Sequence, residues 1–406
     1  MSAPVRAPGR VEFITLVAGI MMVVAFAIDS MLPALPAIAH TLGVTIPNHQ
    51  QFVITAFMIG FGISQFFVGT LSDLYGRRGL MLGSLIGYSI FSLAAAIAPT
   101  FELLLLARFA QGTAAAGARV LVVSVVRDQF EGRAMAQVMS LASVVFMAAP
   151  ILAPTMGALI ISIAPWRWIF IVLAVVGVIL WTWVFLRLPE TQDVQNRKAI
   201  SRAQVFESFG TVLSDRQSIG YTIAMTFMTG AVFGFLNSVQ QIFDQVFRHP
   251  QFLAGGFAVM ASTMAVASLV NSRIVMRWGM RPIGHYALVG FTLVAGMHGL
   301  VALSGHETLV GFIVMQATMM GCFALVVGNF GALAMEHVGE VAGTASSVQG
   351  SFSTILGAAG GGLVGQFFNG STVPLYLAST LFGAAALAAV YIAERGKLFT
   401  SHVVAA

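Results

Sequence analysis

The sequence predicts an all-α membrane protein with twelve transmembrane helices arranged as two pseudo-symmetric six-helix bundles. Three observations carry this expectation. The first is solvent: 58% of residues are hydrophobic and only 9% charged, against about 25% charged in soluble domains. So few charges cannot cover a water-facing surface. Lipid must therefore solvate most of the chain, and in hydrocarbon only helices and closed barrels satisfy their own backbone. The second is the length of the apolar runs. They approach 20 residues, as a helical span needs, and lack the residue-by-residue alternation of barrel strands. The third is internal repetition at half the chain length.

Taken in order, the spans are expected at about 13–35, 50–71, 80–98, 101–126, 134–163 and 166–187 in the first half. In the second they are expected at about 217–246, 252–276, 283–304, 308–335, 341–368 and 372–394. Residues 1–187 form the N-terminal bundle, 188–216 a linker, and 217–406 the C-terminal bundle. Met1 to Arg10 is basic and lacks the short apolar core and cleavage site of a removable signal peptide, so the first run is expected to stay as a span.

Charge fixes the orientation. With the N-terminus inside, sixteen Lys and Arg residues fall on the cytoplasmic side and two, Arg167 and Arg248, outside; Arg108 and Arg119 lie within a span. Both termini and the linker are then cytoplasmic. Within the linker Val205, Phe206, Phe209, Val212 and Leu213 recur at helical spacing, which predicts an amphipathic helix on the membrane face. The basic residues sit in short loops between spans, so the net charge of +5 is no nucleic-acid signal. The single cysteine, Cys322, excludes an internal disulfide and a cysteine metal site and reads as a small core residue.

A shift of 203 residues pairs Gly76 with Gly279, Arg78 with Arg281, Ala142 with Ala345, Ser143 with Ser346 and Gly157 with Gly360. Such repeats are a hallmark of secondary transporters, which bind substrate at the repeat interface near the bilayer midplane. The first short loop reads Gly69-Thr-Leu-Ser-Asp73-Leu-Tyr-Gly76-Arg77-Arg78-Gly79. Its glycines permit a tight turn, and its acid and arginines can build an ion-pair cluster that breaks when the halves move.

This loop resembles the signature loop of the major facilitator superfamily. Arg108-Phe-Ala-Gln111-Gly112 in span four resembles that superfamily's Arg-x-x-Gln-Gly motif. Ala149-Pro150-Ile-Leu-Ala153-Pro154-Thr-Met-Gly157 in span five looks like the helix-packing motif of drug:proton antiporters. Asp29-Ser-Met-Leu-Pro33-Ala-Leu-Pro36, Trp166-Arg-Trp-Ile-Phe170 and Leu188-Pro-Glu-Thr191 resemble the bicyclomycin-resistance type of multidrug exporter. The resemblance is strongest in the N-terminal half. It implies the major facilitator fold, with spans one, four, seven and ten lining a cavity. By motif position it makes Asp29 the cavity acid and Arg108 the span-four arginine. Asp73, Arg77 and Asp128 then form the cytoplasmic gate with Gly69, Gly76 and Arg78. Arg119 departs from the pattern, which has a small residue there.

Ionisable groups inside spans are functional hypotheses by default. Asp29 lies about 24 Å along its helix from Phe13, and Arg108 about 10 Å in from the same outer side. The two are level and could pair, either as a static salt bridge or as a proton site. Arg119 follows Arg108 by eleven residues, about 16 Å along nearly the same face, with Gln111 beside them. That basic stripe suits an anionic or zwitterionic substrate, or Arg119 bonds to helix carbonyls. On span seven Asn237, Gln240 and Gln241 share a face and are candidate cavity residues. Asn271, Gln316, Asn329 and Gln349 read as interhelical hydrogen-bonding residues. The run Gly357-Ala-Ala-Gly360-Gly361-Gly362 lies in an apolar span without a following Lys-Ser or Lys-Thr, so it reads as close helix packing. His298 and His306 have nothing beside them in the sequence that suggests a metal site.

The sequence therefore predicts a secondary active transporter, not an enzyme. It is expected to be a monomer in a bacterial inner membrane that exports small organic molecules or drugs by proton antiport. No cofactor, metal or nucleic acid is expected, and the proton gradient supplies the energy. The competing readings are an importer or uniporter of an organic anion, or a sensor without flux.

Overall fold

The computed structural model describes residues 8–130, 132–146, 148–192 and 202–399; the side chains of a few further helical residues, Asp73 among them, lie outside what it describes. Every regular element among the described residues is helical. The chain divides into two compact units between Ser201 and Arg202.

The first unit holds α1 (Arg10–Asp29), α2 (Leu35–Thr41), α3 (Phe52–Tyr75), α4 (Arg77–Ala96), α5 (Phe101–Gln129), α6 (Gly132–Phe146), α7 (Ala149–Ile163) and α8 (Arg167–Arg187). The second holds α9 (Arg202–Ser214), α10 (Arg216–Gln241), α11 (Leu253–Trp278), α12 (Met280–Leu303), α13 (Leu309–Met335), α14 (Ala342–Gln366) and α15 (Val373–Ala393). Among the described residues, ten helical segments are long and apolar enough to cross a membrane. The remaining two expected spans correspond to α14, which is 25 residues long but rich in Gly and Ser, and to the α6–α7 pair.

Three local results differ from the sequence expectation. Span five is two helices rather than one, because Pro150 opens α7. Proline has no N–H to give and its ring clashes with the carbonyl four residues back. Span one stops at Asp29 and resumes through a short 3-10 turn, Leu32–Ala34, into α2; Pro33 and Pro36 each stand at the start of those pieces. The linker helix, α9, turns part of its apolar stripe inward. Phe209 and Val212 pack on Met335, Val338, Val341, Ala345, Val348 and Phe352 of the same unit, while Leu213 is exposed. Val205 and Phe206 carry side chains outside the described set.

Close helix contacts are made by backbone on backbone. A Cβ at Gly60 would lie 2.1 Å from the Phe109 carbonyl oxygen, and one at Gly112 would lie 2.0 Å from that of Phe57, so α3 and α5 meet without side chains between them. In the second unit a Cβ at Gly361 would lie 2.5 Å from the Gly234 nitrogen, which brings α14 against α10. The internal repeat is visible in the backbone. Gly76 (φ 91°, ψ 160°) and Gly279 (φ 82°, ψ 161°) hold the same conformation between consecutive helices, one essentially reserved for glycine.

Candidate functional site

The short α3–α4 connection forms a polar cluster with α5 and the segment after α8. The Arg77 Nε donates to Asp128 Oδ2 at 3.1 Å, and its guanidinium also reaches the Ser72 hydroxyl. Glu190 caps the N-terminus of α4, accepting from the backbone N–H of Arg77 at 2.9 Å and from that of Arg78. A carboxylate suits this position because the first N–H groups of a helix are unpaired and carry partial positive charge. Thr191 adds its hydroxyl to Asp128 at 3.1 Å, and Arg78 donates to the Phe185 carbonyl at 2.7 Å. The Gly69 carbonyl accepts from Ser72. Of the residues the sequence assigned to the gate, Arg77 and Asp128 are thus brought together; the Asp73 side chain lies outside the described set. Glu190 was missed as a member because it lies 113 residues from Arg77 and appeared only within the Leu188–Thr191 motif.

The second unit carries a counterpart that the sequence reading did not assemble. Arg281 pairs with Glu336 and with Glu394, each at 2.8 Å, and donates to Gln217. Glu394 also accepts from the Tyr221 hydroxyl at 2.6 Å. Tyr221 Oη lies 3.0 Å from His285 Nε2, and His285 Nδ1 accepts from the Phe399 backbone N–H at 3.1 Å. That last bond leaves Nδ1 without a proton and assigns the ring's N–H to Nε2. The shift of 203 residues held the signal: it carries Arg78 onto Arg281 and Glu190 to within one residue of Glu394.

Deeper in the first unit, Arg108 is fully buried on α5. Its Nε donates to the Val53 carbonyl at 3.0 Å and its Nη1 to Gln111 Oε1 at 2.7 Å. The guanidinium stands over Phe57 at 4.6 Å and Phe170 at 5.7 Å. Gln111 passes the chain on to Ser92 at 2.6 Å, and Ser92 donates to the Tyr88 carbonyl. Gln111 is therefore a relay between α5 and α4, not an open cavity contact. The four-residue spacing of Arg108 and Gly112 meets that of Val53 and Phe57, so the motif clasps α3 by its backbone.

Asp29, at the last turn of α1, is 7% exposed and makes no hydrogen bond or ion pair with a described residue. The expected pairing with Arg108 is not formed. The guanidinium is taken up by Val53, Gln111 and two aromatic faces, which turn it onto α3. The α1 break is instead held by α7: a Cβ on Gly157 would lie 2.1 Å from the Ser30 carbonyl oxygen. Pro150 and Pro154, at the start and inside α7, set that helix's course.

Arg119 is half-buried and bonds to no described residue. On α10, Asn237, Gln240 and Gln241 are all buried. Asn237 donates to its own helix at Phe233, while Gln240 Oε1 is buried without a partner among the described residues. A π-helical turn, Ile242–Val246, follows directly; such turns are frequent at functional sites. The expected interhelical bonds appear between Asn329 and Asn271 at 2.9 Å, and between Tyr376 and Gln316 at 3.0 Å.

Comparison with known proteins agrees with this architecture. The family model described as Major Facilitator Superfamily matches residues 17–362. An uncharacterized MFS-type transporter, YdgK of Bacillus subtilis, is 30% identical over 83% of this chain and 84% of its own length. A bicyclomycin resistance protein homolog of Haemophilus influenzae is 28% identical over 89% of this chain and 91% of its own. Among solved structures, the xylose transporter XylE from E. coli superposes with a TM-score of 0.74 at 10% identity, covering 96% of this chain and 98% of that one. The human organic anion transporter MFSD10 gives 0.66 at 17% identity, over 95% and 100%.

Proposed function

The chain belongs to the Major Facilitator Superfamily, and on that premise we propose that it exports small organic molecules or drugs by proton antiport, through alternating access in a bacterial inner membrane. The observation that carries the reading is Asp29. It is a buried acid without a partner among the described residues, at the point where two prolines break its helix. An ionisable group kept inside a span at that cost is retained for function, and broken helices mark binding regions in transporters. Asp29 takes up a proton from one side and releases it to the other. The Arg77–Asp128–Glu190 and Arg281–Glu336–Glu394 clusters hold the helix ends in one state of the cycle. The multidrug relatives support export. Two relatives from Shewanella strains named multidrug resistance protein MdtL are 31% identical, over 43% of this chain.

The test is proton movement in vesicles reconstituted with the purified protein. Adding candidate drugs under an imposed pH gradient is expected to produce substrate-dependent proton flux. Asp29→Asn, which mimics the protonated acid, should lose gradient-driven export while retaining substrate binding. Uphill export by Asp29→Asn overturns the assignment. A second reading, transport of an organic anion, is favoured by Arg119, a half-buried cation without a described partner. Arg119→Ala should then weaken binding of anionic substrates more than of neutral or cationic ones.

A further inference from the structure

Seventeen residues beyond Arg281, about 26 Å along α12, the second unit contains another polar cluster. His298, fully buried on α12, places Nε2 2.6 Å from Glu307 Oε1. Glu307 belongs to the connection between α12 and α13, and its side chain is 9% exposed. The other carboxylate oxygen accepts from the hydroxyl of Thr372, the residue that precedes α15. Tyr376 stacks on the imidazole with ring centres 3.5 Å apart and donates its hydroxyl to Gln316. Phe312 stands 5.8 Å from the imidazole. His298 Nδ1 is buried without a partner among the described residues.

The proton count decides what this arrangement does. One proton must lie between Nε2 and Oε1 at that separation. Thr372 commits its single hydroxyl proton to the second oxygen. With one proton in the pair, the site carries a full negative charge, and no Lys or Arg among the described residues pairs with Glu307. The Nδ1 lone pair is then orphaned as well. A second proton, bound at Nδ1, makes an imidazolium–carboxylate pair with no net charge and a charge-assisted hydrogen bond. Nδ1 has no partner among the described residues in either state, so the buried negative charge makes the difference.

We propose that His298 and Glu307 form a proton-binding site of the second unit, separate from Asp29, with the incoming proton accepted at His298 Nδ1. Its use in the transport cycle rests on the proton-antiport reading; the binding itself does not. By the charge asymmetry of the sequence this end of α12 faces the outer solution, from which an antiporter draws protons. Glu307 also ties the α12–α13 connection to the first turn of α15 through Thr372. Proton occupancy is therefore linked to how firmly those elements hold together. The titratable groups around the imidazole are few. The connection supplies Glu307 and the exposed His306, and α15 supplies Tyr376. From α13 the neighbours are the neutral Gln316 and Phe312. From the π-helical turn after α10 come Phe243 and, just beyond it, Phe247, which pack on Phe312, with Asp244 on the same turn.

The test is nitrogen NMR of the full-length protein in detergent micelles, with its eight histidines isotopically labelled. The His298 signals are identified by their absence in His298→Gln. If that variant does not fold, they are identified by their displacement in Glu307→Gln. As the solution is acidified over the range in which the protein stays folded, the His298 ring should convert from one N–H to two, and Glu307→Gln should change the midpoint of that conversion. A ring that keeps one protonation state over this range, or an unchanged midpoint in Glu307→Gln, overturns the site and leaves a structural strut. Proton flux in vesicles is measured on the same preparation. Flux without His298 titration sinks this site alone, whereas titration without flux sinks the antiport reading and leaves the site standing.

Discussion

Gly157 of α7 lies directly against the backbone of Ser30: a Cβ built there would sit 2.1 Å from the Ser30 carbonyl oxygen. The neighbour is main chain, so no side chain can swing aside. This contact holds the break in span one, one residue after Asp29. Gly157→Ala should therefore force α7 away from α1. Overpacking of this kind typically costs about 1–3 kcal/mol. The expected result is a lower melting temperature and impaired proton-driven export. Gly83→Ala is the control, since a Cβ there meets nothing within 4 Å and helix propensity favours alanine. Equal behaviour of the two variants would refute the packing role.

The α3–α4 cluster yields a second prediction. Glu190 accepts from the first N–H groups of α4, and Asp128 holds the Arg77 guanidinium. Asp128→Asn removes one charge of the pair, and Glu190→Gln removes the anionic cap. Both should leave insertion intact and slow export several-fold, because each loosens a contact proposed to form in one state of the cycle. Initial export rates at matched expression check this. Rates equal to wild type in both variants would reduce the cluster to a topology signal.

Composition and run length made the helical membrane class legible, because the choice of solvent acts on every residue alike. Span five shows where that signal fails: the run from 134 to 163 is uncharged and predominantly apolar, yet Pro150 divides it. The motif residues were legible singly but their partners were not. Arg108 and Asp29 looked level when measured along their helices, which fixes height but not azimuth. The azimuth was set by the bond to the Val53 carbonyl, and no sequence pattern announces a backbone acceptor on another helix. His298 and Glu307 were likewise opaque. Nine residues apart across a turn, they gain meaning only when α15 brings Thr372 and Tyr376 to them.

Glu336, just beyond α13, supplies a pH prediction. Burial works to raise its pKa, but hydrogen bonds from Gln217 and Arg281 prevail and hold it below the usual carboxylate value of about 4.3. A group depressed in the folded state adds stability above its unfolded pKa, and loses that contribution as pH falls through the folded one. Wild type should thus melt higher than Glu336→Gln at neutral pH. The gap should close only as the solution is taken below about pH 4. The side chain is 37% exposed, so solvent screening keeps the gap small and salt-sensitive. A gap that widens on acidification would contradict the ion-pair account.

Arg108→Lys separates scaffolding from coupling. If Arg108 tuned the proton site through direct contact with Asp29, a lysine that keeps the charge would largely preserve stability while the pH optimum of export moved. The structure gives Arg108 different partners: the Val53 carbonyl, Gln111 Oε1, and the faces of Phe57 and Phe170. An ammonium is a compact point charge. It cannot reproduce the planar stacking or span both acceptors as the guanidinium fork does. At least one of the two buried acceptors should lose its partner, at about 1–3 kcal/mol, and Gln111 would lose its anchor for the bond to Ser92. Arg108→Lys should accordingly lower the melting temperature and the maximal export rate. The pH optimum should stay where it is, because Asp29 bonds to no described residue. Export rates across a pH series and thermal unfolding of the same purified variant decide between the two accounts. A displaced optimum with unchanged stability would restore the direct Asp29–Arg108 pair.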